Sequence, residues 1–207
     1  MFTILLSRSM KQIYNVSQCK TNLFLPLKYL YSVKQNPFLY VMDRTMFHTQ
    51  EKRANRIKGP IKCVRWNAWL GEGWYFWYYE DDAHFWGINS KCRNGSYEIY
   101  AADIDDTNVL NTVFDETHYT IWVDAIERAI KTFVKARDGK RITIKRVNDF
   151  LKDKGVLDGI DGVMFQDISS NPSSQFVPNF QFRKRIQLVI YDLKIMSNFV
   201  FVREGKC

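Results

Sequence analysis

Helical periodicity in this chain is confined to one stretch near its middle, and that confinement constrains the fold more than any other feature. From His118 to Arg137, the residues Trp122, Ala125, Ile126, Ala129, Ile130, Phe133 and Val134 recur every three or four positions, and Gly139 follows as a stop. A second, shorter helix is predicted over Ile144–Lys154, capped by Thr143, with Val147, Phe150 and Leu151 on its apolar face and Gly155 at its end. Strand patterns lie on both sides of this pair. Ile61–Trp66, Trp74–Tyr79 and Ser96–Ile104 precede it, and Gly162–Phe165, Ile186–Leu193 and Asn198–Val202 follow it. Strands, two helices and strands again, without β-α-β alternation, predict an α+β domain rather than a doubly wound parallel sheet. Two smaller helical pieces are also expected. One runs from a Thr49 cap to Lys58, and the other is a turn over Ala83–Trp86, capped by Asp81 or Asp82 and stopped by Gly87.

The 207 residues carry 30 Lys and Arg against 22 Asp and Glu, a net charge of +8. Residues 1–41 hold Arg8, Lys11, Lys20, Lys28 and Lys34 and no acid, so more than half of the excess sits in this segment. Its composition is that of an organellar transit peptide, although it is poor in Arg and broken by Pro26 and Pro37. A true start at Met42 is the plainer reading, a docked or disordered extension the second and targeting the third. The folded domain is therefore placed at residues 42–207. A chain with 46% hydrophobic and 15% aromatic residues is too apolar for intrinsic disorder. No apolar run approaches the roughly 20 residues of a membrane span. Cys19, Cys63, Cys92 and Cys207 form no C-x-x-C, so neither a zinc site nor a disulfide framework is expected. The expectation is a cytoplasmic monomer without membrane association, with organellar delivery by residues 1–41 as the alternative.

The chain lacks a P-loop, a G-x-G-x-x-G after a strand, an H-E-x-x-H and a G-x-S-x-G. Asp81, Asp82 and His84 could be drawn as a metal cluster, but helix capping accounts for the acids, and no metal is expected. One stretch stands apart: Trp69-Leu70-Gly71-Glu72-Gly73-Trp74-Tyr75-Phe76-Trp77, followed by Ala83-His84-Phe85-Trp86-Gly87. Its L-G-x-G-x-Y-F, with an Ala and then an aromatic after an eight-residue interval, resembles the second motif of the ADP-ribosyltransferase superfamily, in the diphtheria-toxin and poly(ADP-ribose) polymerase branch. Upstream, Phe47-His48-Thr49 resembles the family's His-Gly-Thr without its Gly. Downstream, Gln187-Leu188-Val189-Ile190-Tyr191-Asp192 resembles E-Y-I-V-Y-D with Gln187 in place of the Glu. The three motifs stand in the family's order and span most of residues 46–193.

The resemblance implies two packed, mostly antiparallel sheets flanked by helices, and NAD+ as an electrophilic substrate. His48 would hydrogen-bond the adenosine-side ribose, and the Thr49 backbone would hold the nicotinamide amide. Tyr75 would stack on the nicotinamide ring with Phe85 on its other side, and Gly71 and Gly73 would let the backbone pass close to the ligand. Gln187 would keep the hydrogen bond that the family's Glu makes to the ribose 2′-hydroxyl but would lose its charge. In that branch, replacement of the Glu goes with mono-transfer or with inactivity. The expected activity is therefore transfer of mono-ADP-ribose to a macromolecular acceptor, in the manner of a bacterial or phage-type effector. A catalytically degraded module of the same fold, binding ADP-ribose or nucleic acid, is the alternative, and an unrelated interaction protein with an aromatic core is the third reading. Gln175 and Phe176, in the polar loop Asp167–Asn179, are candidates for acceptor contact.

A second feature is basic. Between Arg128 and Arg146 eight Lys and Arg stand against Asp138 alone, and Lys131, Lys135, Arg141, Lys145 and Arg146 are the candidate contacts for nucleic acid or an acidic protein surface. A solvated helix face explains the same residues. No aromatic is interleaved on this face as a base-stacking platform would require, so backbone tracking is the only nucleic-acid mode the sequence supports.

Overall fold

The computed structural model describes residues 44–137, 139–167 and 185–207. Residues 1–41, and Gln175 and Phe176, lie outside the described residues. In chain order the elements are β1 (Arg44–Glu51), β2 (Trp74–Trp77), α1 (Glu80–Ser90), β3 (Ser96–Ile104), β4 (Val109–Asn111), α2 (Glu116–Ala136), α3 (Ile144–Asp153), β5 (Gly162–Asp167), β6 (Arg185–Ile190) and β7 (Met196–Lys206). A single 3-10 turn at Leu193–Ile195 leads into β7. The domain is α+β, as the pattern of strands around a helix pair predicts. Both helices of that pair begin at capped ends. Asp115 accepts the His118 N–H at 3.0 Å, and Thr143 accepts the Arg146 N–H at 3.2 Å.

Three expectations are corrected. Residues 49–51 extend β1 rather than open a helix, because β1 pairs with β3 along its whole length, from Arg44 opposite Ile104 to Glu51 opposite Tyr97. That long-range ladder outweighs the local capping potential of Thr49. Ile61–Trp66 is not a strand: the stretch makes one isolated bridge, Cys63 to Gly73. The turn at Ala83–Trp86 belongs to the eleven-residue α1, whose N-cap is Tyr79 rather than Asp81 or Asp82, and which runs through Gly87, where the Tyr97 ring takes the space of a side chain.

All seven described strands form one sheet, in the order β4-β5-β6-β2-β1-β3-β7, antiparallel except for β4 with β5. The resemblance predicts two sheets. The observed sheet is joined at its centre by a single residue pair, Phe47 with Trp77, between β1 and β2. On either side of this neck, β4-β5-β6-β2 and β1-β3-β7 are continuous ladders. One face of the sheet carries the helices. There α1 covers a cluster of Trp77, Ala83, Tyr97 and Ile99, while α2 and α3 cover Val163 and Val189 with Trp122, Ala129 and Leu151. On the other face, side chains from both halves share one cluster, including Met46, Ala102, Phe76, Met164 and Leu188. No helix covers that face among the described residues, so the two halves bury it together.

Cys92 and Cys207 form a disulfide, with Cα atoms 6.0 Å apart, which corrects the expectation of none. Strand register brings them together: Ser96 pairs with Lys206, and Cys207 N–H donates to Gly95 at 3.2 Å. No helix among the described residues is long and apolar enough to cross a membrane.

Candidate functional site at the strand split

The three sequence motifs lie on adjacent strands. His48 and Thr49 are on β1, Tyr75 is on β2 and Gln187 is on β6, and these strands are neighbours at the centre of the sheet. Pairing sets a row across it, running Val200, Ala101, Phe47, Trp77, Gln187 and Phe165. Paired residues share a face, and residues two apart on a strand do too. Thr49, Tyr75 and Gln187 therefore belong with Trp77 on the helix-covered face. His48 belongs to the opposite face with Phe76, whose ring centroid is 5.6 Å from the imidazole.

His48 is buried where β1 and β2 part. Its Nδ1–H donates to the Tyr75 carbonyl at 2.9 Å, and its Nε2 accepts the Ile61 N–H at 3.3 Å. These two partners fix the neutral tautomer, since a protonated Nε2 would face another donor. Burial lowers the His48 pKa from 6.5 to about 4, against the opposing pull of the Tyr75 carbonyl. The imidazole thus takes over a contact that the ladder would otherwise make, and both its nitrogens are engaged by main chain.

Tyr75 is also tied into its own loop. Its hydroxyl donates to the Gly71 carbonyl at 2.8 Å and accepts the Leu70 N–H at 3.1 Å, closing the turn that carries the glycines. Tyr191 fastens the same turn by donating to the Leu70 carbonyl at 3.0 Å. Burial holds the hydroxyls of both tyrosines far above their ordinary pKa. Gly71 sits at φ 84°, in the left-handed region, with Asp149 3.1 Å from where a Cβ would be. At Gly73 a Cβ would stand 2.4 Å from Val189 Cγ2 and 2.7 Å from the Ile190 carbonyl. Close approach of the protein's own β6 explains this glycine, whatever passes in front of it.

On the helix-covered face, the Thr49 hydroxyl donates to the Ala83 carbonyl at 2.8 Å and anchors α1 to β1. Phe85, 41% exposed on α1, lies 5.5 Å from the Arg185 guanidinium, which also stands 5.9 Å from the Trp77 ring. Gln187 is half-buried between Trp77 and Phe165 in the row. Arg185 escaped the sequence reading, although its position two residues before Gln187 on one strand places it on the same face. Lys91, the residue after α1, was missed as well. It is half-buried, and burial first, then the charge of Arg65, holds its ammonium below the ordinary lysine range. His84 shares a hydrogen bond with Tyr97.

The basic candidates divide. Lys131 and Lys135 lie two and six residues from the buried Ala129, on the outward side of α2, and Lys131 faces Glu127 at 3.6 Å. Arg141 is exposed in the connection to α3. Lys145 and Arg146 instead line a depression beside α3, where Lys145 bonds Asp149 at 2.5 Å and Arg146 lies over the Phe133 ring at 4.2 Å.

No protein-family model matches this chain, and no curated protein or solved structure matches it either.

Proposed function

We propose that the helix-covered side of the strand split binds NAD+ and transfers mono-ADP-ribose to a macromolecular acceptor. The observation that supports this reading is the adjacency of β1, β2 and β6, which sets Thr49, Tyr75 and Gln187, far apart in sequence, on one face of neighbouring strands. In the proposed reaction the bond between the nicotinamide nitrogen and the ribose C1′ breaks, and nicotinamide leaves with the electron pair. An acceptor oxygen or nitrogen then bonds to C1′ and gives up its proton. Gln187 would orient the ribose through its 2′-hydroxyl, and Phe85 with Tyr75 would flank the departing ring. Arg185, beside Phe85 and Trp77, would supply positive charge for the pyrophosphate. His48 would act as a positioning residue, holding the Tyr75 backbone where the strands part.

Since Gln187 cannot offset the positive charge that develops on the ribose, turnover should be slow and should rise when a carboxylate is restored. The test is nicotinamide release and label transfer from radiolabelled NAD+ by the full chain, Gln187→Glu and Gln187→Ala. Release should increase on the order of 10- to 1000-fold in Gln187→Glu and vanish in Gln187→Ala. Binding of NAD+ or ADP-ribose without release in either form would support a silent binding module instead, a reading favoured by the uncharged amide between two aromatic rings. Absence of binding in calorimetry would overturn both.

A further inference from the structure

Beside α3 lies an open depression of about 520 Å³, lined by Trp66, Phe133, Thr143, Lys145, Arg146, Asp149, Phe150 and Asp153. Trp66 comes from the loop before β2, some 80 residues away in sequence from the helix it stands beside, and its side chain is 87% exposed. The fold thereby supplies an exposed aromatic beside the basic stretch, whose own Phe133 lies under the Arg146 guanidinium. We propose that this groove binds single-stranded nucleic acid, with one base on Trp66 and the sugar-phosphate backbone led out over Arg137, Lys140 and Arg141.

The distribution of charge selects this occupant. Inside the groove Lys145 is paired with Asp149, and Arg146 and Asp153 add one charge of each sign, so the lining is aromatic with no net charge and suits a base better than a phosphate. Asp153 offers an acceptor to an exocyclic amino group, as carboxylates do to cytosine N4. In the connection that leads into α3, Arg137, Lys140 and Arg141 are exposed, and Arg146, which lines the groove, donates to the Lys140 carbonyl at 3.0 Å. An exposed indole stacks on any base, since every base has a π-face. Two segments of this chain could compete for the groove. Residues 1–41 carry five cations and no anion, and residues 168–184 carry only Arg183 and Lys184, so neither matches the basic connection. The proposal is independent of the NAD+ reading.

The test is fluorescence anisotropy of the full chain with labelled 12-nucleotide oligo-C, oligo-U and a duplex of equal length, over a salt series. Oligo-C should bind best, then oligo-U, then duplex. Trp66→Ala should weaken oligo-C binding roughly 5- to 100-fold while leaving the melting temperature unchanged. Arg141→Ala should lower the dependence of log K on log salt by about 0.7, the value for one phosphate on a single strand. Unchanged affinity in Trp66→Ala, or duplex bound as tightly as single strand, would overturn the site. Displacement of the oligonucleotide by cytidine monophosphate at equal concentration would overturn the polymer in favour of a free nucleotide.

Discussion

The strand split and the α3 groove make opposite use of polar and aromatic side chains. At the split, the imidazole of His48, the hydroxyl of Tyr75 and the hydroxyl of Thr49 each hold a main-chain group of the protein itself. In the groove, Trp66 reaches water over most of its surface, and exposed cations stand in the connection that leads into α3. A motif residue at the split therefore carries a structural task before any ligand arrives, and so do the groove's Thr143, Arg146 and Phe133, whereas Trp66 stands out into water. Substitutions at the split should therefore change stability and function together, and substitution of Trp66 should separate them.

The largest effect that sharpens this contrast is expected at Gly73. Adding a methyl group there places carbon 2.4 Å from Val189 Cγ2 and 2.7 Å from the Ile190 carbonyl, and a backbone oxygen cannot swing aside. Gly73→Ala should lose about 3 kcal/mol or more, by forcing β2 and β6 apart. Urea unfolding measures it, and a loss below about 0.5 kcal/mol would mean that β2 and β6 do not pack as closely as the ladder requires.

Next in size is the pH response of His48. Its pKa is about 4 in the folded chain and ordinary, near 6.5, in the unfolded one. Between these values the unfolded state binds the extra proton, so stability falls as pH drops from 6.5 to 4 and is complete above 6.5. The loss amounts to about 3 kcal/mol over that window. Carboxylates titrate there too, so the comparison is between the natural chain and His48→Gln, whose amide does not titrate. Equal pH slopes in the two proteins would show that the ring is not held neutral at the neck.

How far the sequence disclosed this arrangement depends on the range of the forces involved. The helix pair was legible because periodicity and capping are local: Asp115 and Thr143 cap the ends that the apolar stripes of α2 and α3 predict. The strand at Ser96–Ile104 was legible for the same reason. Residues 49–51 were misread because Thr49 is a good cap in isolation, and only pairing with β3 makes it a strand residue. The Cys92–Cys207 disulfide follows from a register that joins residues 115 positions apart, which spacing alone cannot reveal. At the split, the sequence pattern located the strands of Tyr75 and Gln187 but not β1, and not the faces of His48 and Tyr75, since facing depends on which pairs close the neck. Trp66 looked like one aromatic among many until the fold set it beside α3.

The smallest effects test the contrast most directly, because they match two aromatic substitutions. Tyr75→Phe leaves the Gly71 carbonyl and the Leu70 N–H without their hydroxyl partner in a half-buried turn, and should cost about 1–3 kcal/mol. Trp66→Ala removes a far larger side chain but one that is 87% exposed, and should change stability by no more than about 0.5 kcal/mol. Deleting one oxygen should thus matter more to folding than deleting a whole indole. Thermal melts of the two variants under one condition decide it. If Trp66→Ala is the less stable of the two, the indole is packing the loop before β2 onto α3, and its exposure is not a mark of binding.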